Sequence, residues 1–215
     1  MRILYYTDQV HKHGGLERVI SNKFNFFSNN SDFDLHLLTF QQNNKTPCYK
    51  FSTDVTLHDI NINYNRDLSF YSIQNLFLSF KHFYRLRNKI KEIKPDVIVV
   101  CNYEYGFYFI PLISKKSFII KEYHSSKHIS FTSLPTASLI KKILSYFNSY
   151  FNSLYDVIVL LTNDEKKYYN SNNLMVIPNS IKILKNLSSN LDSKRIISAG
   201  RIAPVKGFEY LIKSF

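Results

Sequence analysis

The chain opens with Met1-Arg-Ile-Leu-Tyr-Tyr-Thr7, turns through His11-Lys-His-Gly-Gly15, and then runs into Leu16-Glu-Arg-Val-Ile20. The first stretch has the apolar character of a buried strand, and the last places apolar residues at the spacing of an amphipathic helix. Two glycines stand between them, at the point where the chain must turn. A strand, a glycine turn and a helix in this order predict the first unit of an α/β fold.

The rest of the chain repeats this alternation of strand and helix patterns. Further strands are predicted at 34–40, 55–60, 97–100, 117–123, 156–161 and 174–177. Helices are predicted at 15–27, 73–93, 106–114 and 135–154, and a short one after Thr162. Such alternation is typical of a parallel sheet with helices on both faces, so the predicted fold class is a Rossmann-like α/β sheet.

The last part of the chain predicts a change of domain. Residues 182–194 are rich in Asn, Ser and Lys, as linkers are. A new strand at 195–199 and a new helix from Lys206 follow, which predicts the first strand and helix of a second α/β domain. Residues 1–181 then form one complete domain, and 195–215 begin another that needs about 100 further residues.

Composition limits the function classes. A hydrophobic fraction of 45% and an aromatic fraction of 16% predict a chain with a buried core. No apolar run approaches the ~20 residues of a membrane-spanning helix, and the N-terminus does not have the pattern of a signal peptide. Cys48 and Cys101 stand apart without metal-ligand spacing, so reduced thiols and a cytoplasmic location are expected.

The charge of the chain predicts attraction to an anionic partner. The formal net charge is +12, which suits nucleic acid, anionic lipid headgroups or a phosphorylated substrate. A solvated cationic surface is an equally good explanation. The Lys and Arg residues are dispersed and no nucleic-acid-binding motif is recognised, so nucleic acid is not expected as a partner.

Gly14 and Gly15 are candidate binding residues. Glycine permits positive φ and lets backbone amides approach a ligand closely. A helix that starts there directs unpaired N–H groups and the positive end of its dipole towards an anion. The loop is expected at the carboxyl ends of the strands, where open α/β sheets bind ligands. The G-x-G-x-x-G pattern is missing, and a simple tight turn would also explain the two glycines.

Arg201 and Lys206 form a second candidate site. Gly200-Arg201 follows a predicted strand, and Lys206-Gly207 opens the next helix. Arginine supplies a forked donor for phosphate oxygens and lysine a compact charge, so two cations beside a helix N-terminus suit a diphosphate. The alternative is a pair of exposed basic residues in a loop.

Five short motifs occur together in an order and spacing that one family shares. The motifs are Gly14-Gly-Leu-Glu-Arg-Val19, Lys94-Pro-Asp-Val-Ile98, Glu122-Tyr-His124, Val176-Ile-Pro-Asn179 and Ala199-Gly-Arg-Ile-Ala-Pro-Val-Lys-Gly207. With these motifs the chain resembles the retaining, nucleotide-sugar-dependent glycosyltransferases of the GT-B fold (group 1, family 4-like), a group that contains bacterial cell-surface glycan enzymes. The resemblance covers essentially the whole chain, and its C-terminal Gly-Arg-x-x-x-x-Lys-Gly block is the most specific part.

The resemblance implies a role for each candidate. Gly14 and Gly15 would lie beside the donor diphosphate or the acceptor, and His124 would face the reacting sugar. Arg201 and Lys206 would neutralise the departing nucleotide diphosphate. The donor substrate would be a nucleotide-diphosphate sugar, with no metal and no cofactor. A hydrogen-bonded loop histidine is the alternative explanation of His124.

The family also has an acidic pair in its second domain that holds the nucleotide ribose and the donor sugar. These 215 residues contain no candidate for that pair. The chain is therefore expected to be a truncated glycosyltransferase that is inactive or severely impaired alone. The alternative is a non-catalytic module that binds an acceptor or an anionic membrane.

Basic residues on the predicted helix 73–93 suggest peripheral contact with the inner face of the cell membrane. Resembling enzymes often act on lipid-linked acceptors and dock on anionic membranes through a basic first domain. The alternative, favoured for the apolar stripe, is packing against the sheet. In that case the helical period turns five residues inward: Leu76, Phe80, Phe83, Ile90 and Ile93.

Overall fold

A computed structural model gives the structure of this chain, which divides into two compact units, Met1–Ser180 and Ile181–Phe215. Each unit is described by itself. The described residues are 1–29, 31–69, 72–101, 104–125, 139–180, 192, 196–200, 202 and 206–214, with the backbone alone for 139–144.

A parallel sheet of seven strands forms the centre of the first unit. The strands are β1 (Arg2–Tyr6), β2 (Asp34–Thr39), β3 (Val55–Asp59), β4 (Val97–Val100), β5 (Phe118–Glu122), β6 (Val157–Leu160) and β7 (Leu174–Val176). Their order across the sheet is β3-β2-β1-β4-β5-β6-β7, and every neighbouring pair is parallel. The predicted Rossmann-like sheet is confirmed.

Helices cover both faces of this sheet. They are α1 (Gly15–Phe27), α2 (Ile73–Ile93), α3 (Tyr105–Ile113) and α4 (Leu139–Ser153), with a 3-10 helix at Asn163–Tyr168. Ile20 and Phe24 of α1 belong to the core on one face. The core on the other face contains Leu86 of α2, Phe107 of α3 and Phe151 of α4. No helix in the described part of the chain is long and apolar enough to cross a bilayer.

The central strand β1 supplies side chains to both cores. Leu4 and Tyr6 point to the α2, α3 and α4 side, whereas Ile3 and Tyr5 point to the α1 side, and all four are buried. Successive side chains of a strand face opposite ways, so a strand covered on both faces needs an unbroken apolar run. The run Ile3–Tyr6 meets this requirement.

Helix α2 has the predicted bounds, but its predicted inward face is partly wrong. Leu76 and Phe80 are 47% and 62% exposed. The buried positions in the N-terminal half are instead polar, because their groups find partners elsewhere in the fold. Asn75 Nδ2 donates to the carbonyl oxygens of Asn65 and Ser69, at 2.9 and 3.0 Å. The buried stripe is Asn75, Ser79, His82, Leu86, Ile90 and Ile93.

His82 is fully buried between two tyrosines. Its Nε2 lies 2.6 Å from the hydroxyl of Tyr6, and its Nδ1 lies 2.8 Å from the hydroxyl of Tyr64. A neutral imidazole has one donor and one acceptor, so one tyrosine donates to the ring and the other accepts from it. Burial lowers the pKa of His82 to about 3. The neutral ring thus joins α2 to β1 and to the loop after β3.

The stability of the protein should depend on pH through His82. The folded-state pKa of about 3 lies below the ordinary 6.5, so the unfolded chain binds a proton that the folded chain does not. The contribution of the neutral His82 ring to the free energy of unfolding is complete above pH 6.5. It is lost as the pH falls towards 3, by up to about 1.4 kcal/mol per pH unit. Urea unfolding at several pH values should show a flatter dependence for His82→Gln, whose side chain does not titrate.

Carboxylates titrate over part of the same range in both proteins, so the difference between the two pH profiles isolates the histidine. Identical slopes for the parent protein and His82→Gln would contradict the assignment of a buried, neutral ring.

In the second unit, the strand predicted at 195–199 is wrong for the residues that can be described. Ile196–Ala199 form no strand. A strand requires a neighbour to pair its backbone groups, and the described residues after Ser180 include no such neighbour. The predicted helix is present as α5 (Phe208–Lys213), which follows Gly207 at a φ of 62°. The predicted linker lies outside the described residues, apart from Asp192.

Candidate functional site

The sheet topology defines one edge where a ligand can bind. All strands are parallel, so their carboxyl ends lie together along this edge. The loop after β1 leads to α1 on one face, and the loop after β4 leads to α3 on the opposite face. Two connections that leave neighbouring strands in opposite directions open a crevice between them, the usual ligand position in open α/β sheets.

His124 lies at this edge, just beyond β5, and its side chain is only 10% exposed. Its Nε2 is 3.1 Å from Oε2 of Glu122, the last residue of β5. The other carboxylate oxygen of Glu122 accepts a hydrogen bond from Lys23 Nζ in α1, at 2.6 Å. The histidine is therefore held by a carboxylate that also pairs with a lysine of α1.

This arrangement orients the imidazole ring. Nε2–H donates to Glu122, so in the neutral ring Nδ1 carries the lone pair. Nδ1 is buried and has no hydrogen-bond partner in the described part of the chain. Burial favours protonation of Glu122, but the hydrogen bond with His124 and the charge of Lys23 outweigh it and lower the pKa of this carboxyl. Glu122 is thus an anion that can stabilise an imidazolium.

Three possible metal donors meet at the same place. Single atoms of Cys101, Glu122 and His124 all lie within 4.8 Å of one another. The surroundings oppose a cation, because Lys23 already pairs with the carboxylate and the buried Lys121 directly precedes Glu122 in β5. Burial, with the nearby Glu122, raises the pKa of the Cys101 thiol, which favours the protonated form over the thiolate that metals bind. These residues fit an ion pair better than a metal centre.

The glycine turn has a different physical basis from the predicted one. Gly14 is the N-cap of α1 with extended backbone (φ −160°, ψ 171°), so this position does not use the positive φ that glycine permits. A Cβ at Gly14 would clash with the carboxylate of Glu17, whereas a Cβ at Gly15 would meet nothing within 4 Å. Glu17 is itself buried, and its Oε1 accepts from Gln9 Nε2 at 2.6 Å.

A carboxylate therefore already occupies the N-terminal end of α1. It interacts favourably with the helix dipole and would repel a second anion placed there. An uncharged sugar hydroxyl suits this end of the crevice better than a diphosphate does.

Gly14 and Gly15 offer a matched pair for testing this packing. Gly14→Ala should lower the free energy of unfolding by about 1 kcal/mol, because the new methyl group displaces Glu17 from its hydrogen bond with Gln9. Gly15→Ala should raise it by about 0.5 kcal/mol, since alanine is the better helix former and the space is open. Urea denaturation measures both. Equal effects of the two substitutions would rule out close packing at Gly14.

A second group of charges, which was not predicted from the sequence, lies at the same edge. Arg66, on the loop after β3, donates to Gln41 Oε1 at 2.8 Å, to Asp8 Oδ2 at 3.4 Å and to Glu104 Oε1. Burial raises the pKa of Glu104 to about 7, and Asp8 adds to this while Arg66 opposes it. Asp8 and Glu104 each lie a few residues after the end of a strand, and this position in the sequence could have predicted them at the ligand edge. Nothing in the sequence around Arg66 predicts its place there.

The candidates in the second unit are only partly described. Lys206 is exposed and precedes α5, and Gly200 lies near its side chain. Arg201 lies outside the described residues. The predicted pairing of these two cations on a diphosphate stays a prediction.

The seven-stranded sheet has the GT-B-like fold of a glycosyltransferase N-terminal domain. The chain is similar to sucrose-phosphate synthase from Thermosynechococcus elongatus, with a TM-score of 0.60, 12% identity, and 82% of this chain and 47% of that one covered. For the lipopolysaccharide outer core galactosyltransferase WaaB, the TM-score is 0.58 and the identity 17%, over 86% of this chain and 47% of that one. At these identities the likeness shows the fold alone.

Sequence comparison adds one relative. The chain is 25% identical over 220 residues to an uncharacterized glycosyltransferase of Haemophilus influenzae, covering 99% of this chain and 56% of the relative. No family model matches the chain. The 215 residues span about half the length of this relative and of the similar structures.

A third similar structure shows that the fold does not select the reaction. UDP-GlcNAc 2-epimerase from Neisseria meningitidis, bound to UDP-GlcNAc, matches with a TM-score of 0.51 and 13% identity, over 83% of this chain and 47% of that one. Function must therefore be argued from the residues at the ligand edge.

Proposed function

We propose that this chain is the acceptor-side part of a glycosyltransferase. The reaction would move a sugar from a nucleotide-diphosphate sugar to a glycan or lipid-linked acceptor, with retention, in bacterial cell-surface polysaccharide synthesis in the cytoplasm. The observation that carries the proposal is His124 at the ligand edge of a GT-B-like sheet, held by Glu122, which in turn pairs with Lys23. The glycosyltransferase name of a relative that matches 99% of the chain supports it.

His124 would act as a sugar-facing group. Its Nδ1 would accept a hydrogen bond from a sugar hydroxyl, and Glu122 would keep the ring in the tautomer that allows this. If positive charge develops on the sugar in the transition state, the His124–Glu122 pair would be nearby to stabilise it electrostatically. Gly14 and Gly15 would line the acceptor side of the crevice, because Glu17 makes the N-terminal end of α1 unfavourable for a diphosphate.

Arg201 and Lys206 would act on the other substrate. A departing nucleotide diphosphate gains negative charge as its bond to the sugar breaks, and two cations would stabilise that charge. The acidic pair that the resemblance places in a second domain has no counterpart in these 215 residues. We therefore propose that residues 1–215 alone turn over no nucleotide sugar, or do so very slowly.

Calorimetry with UDP, GDP and their sugars tests the diphosphate site. We expect binding that Arg201→Ala and Lys206→Ala each weaken at least tenfold, since each removes a hydrogen bond to a charged group. Lys213→Ala is the matched control, because Lys213 is an exposed cation at the far end of α5. Nucleotide binding that survives both site substitutions would contradict these roles.

Glycan binding tests the acceptor side independently. On an array of bacterial glycans, the chain should retain a defined subset of sugars. His124→Ala should abolish this binding, and Glu122→Gln should weaken it about tenfold, because the amide still accepts a hydrogen bond but no longer carries charge. His13→Ala is the control, since His13 lies exposed against Tyr49 in the loop before α1.

Glycan binding that is insensitive to His124→Ala would contradict the proposed site. Glycan binding by the parent protein together with no nucleotide affinity would favour the non-catalytic module over the enzyme.

A further candidate partner is an anionic membrane, and an observation on α2 favours it. Four large side chains that do not pack on the sheet lie exposed along one face of this helix, in a chain with a net charge of +12. They are Ile73, Phe77, Phe80 and Tyr84.

A further inference from the structure

A groove of about 690 Å³ lies at the amino-terminal ends of β4 and β5, opposite the edge that holds His124. It is formed where α2 and α3 end and where the chain enters the two strands. A parallel strand of four residues is about 13 Å long, so the groove is a separate site from the ligand edge.

The rim of the groove is strongly cationic. Five basic side chains line it and only one acidic side chain, Asp96, whose Oδ2 already accepts from the backbone N–H of Arg2 at 2.7 Å. None of the five forms an ion pair with any residue that the structure describes. The five are Arg87, Lys91, Lys94, Lys115 and Lys116.

The floor of the groove is apolar apart from two serines, of which Ser117 donates through its Oγ to the carbonyl oxygen of Pro95, at 2.7 Å. Phe83, Ile90, Leu112 and Ile113 line it. The side chain of Ser114 is buried there, and its Oγ has no hydrogen-bond partner in the described residues. Helix C-termini attract cations, which explains part of the positive charge at the ends of α2 and α3. It explains neither the apolar floor nor a buried donor without an acceptor.

The exposed face of α2 leads directly into this groove. Ile73, Phe77, Phe80 and Tyr84 are followed on the same face by Arg87 and Lys91, at steps of three or four residues. The apolar part extends over about 16 Å, at 1.5 Å per residue. One continuous surface therefore changes from apolar to cationic and ends in a groove that combines both properties.

We propose that this groove binds a single anionic phospholipid from a bilayer on which the α2 face rests. The headgroup phosphate would lie among Lys91, Lys94, Lys115 and Lys116, near the free hydroxyl of Ser114. The first part of an acyl chain would lie along the apolar floor. The inference rests on the proposed membrane contact and does not depend on the transfer reaction. Charge complementarity selects an anionic lipid over a zwitterionic one.

Vesicle sedimentation tests the groove. The probes are vesicles of phosphatidylcholine, with and without phosphatidylglycerol. Lys115→Gln with Lys116→Gln should weaken binding to the anionic vesicles about thirtyfold, or about 2 kcal/mol for two cations. The matched control is Lys166→Gln with Lys167→Gln, an exposed lysine pair in the 3-10 helix, which should change binding less than about threefold.

Two further measurements separate a lipid from a simple anion. Leu112→Asn should weaken binding to anionic vesicles severalfold, with thermal unfolding confirming that the variant folds. Inorganic phosphate should not displace the protein from the vesicles at matched ionic strength. Nucleotide affinity should be the same in Lys115→Gln/Lys116→Gln and in the parent protein, so a failure of the lipid site is distinguishable from a failure of the proposed reaction.

Three outcomes would overturn the proposal. The first is no binding of the parent protein to anionic vesicles. The second is an equal loss in the two lysine-pair variants, which would indicate a diffuse electrostatic attraction. The third is displacement by inorganic phosphate together with an unaffected Leu112→Asn variant, which would indicate an anion site without a lipid chain.

Discussion

The parallel pairing of β1 with β2 on one side and β4 on the other is the constraint on which the rest of the structure depends. Tyr6 is in register with Leu38 and with Val100, so the three strands end together. Because every other strand is also parallel, the loops after β1, β4 and β5 all reach the same edge. Residues far apart in the chain, such as Lys23 and Glu122, can meet only because of this alignment.

Buried polar groups then decide what each end of the sheet can do. Lys121 is fully buried, and its Nζ donates to the carbonyl oxygens of Val100 and Glu122, which ties β4 to β5 just below His124. Burial lowers the pKa of Lys121 to about 7. At the carboxyl edge, Glu122 pairs with Lys23 and orients the ring of His124. At the amino edge, the cations around the groove outnumber the acids, so the two edges suit different ligands.

The sequence predicted the parts of the fold that depend on local periodicity. The bounds of α1 and α2 are as predicted, and so is the parallel sheet, because runs such as Ile3–Tyr6 identify strands covered on both faces. The position of His124 after β5 could also be predicted. The partners of that histidine could not, since Lys23 is 99 residues from Glu122. The buried face of α2 was not predicted because Asn75 finds its partners in the loop just before the helix, and His82 finds its partners in β1 and in the loop after β3.

The central claim is that Glu122 holds His124 in one tautomer and leaves Nδ1 for a sugar. Histidine-selective nitrogen-15 NMR measures this directly, with the buried His82 as an internal reference. In the neutral ring of His124 we expect the proton on Nε2, and we expect a change in the Nδ1 signal of His124, but not of His82, when a glycan that the chain binds is added. A proton on Nδ1, or a His124 signal that the bound glycan does not change, would contradict the account.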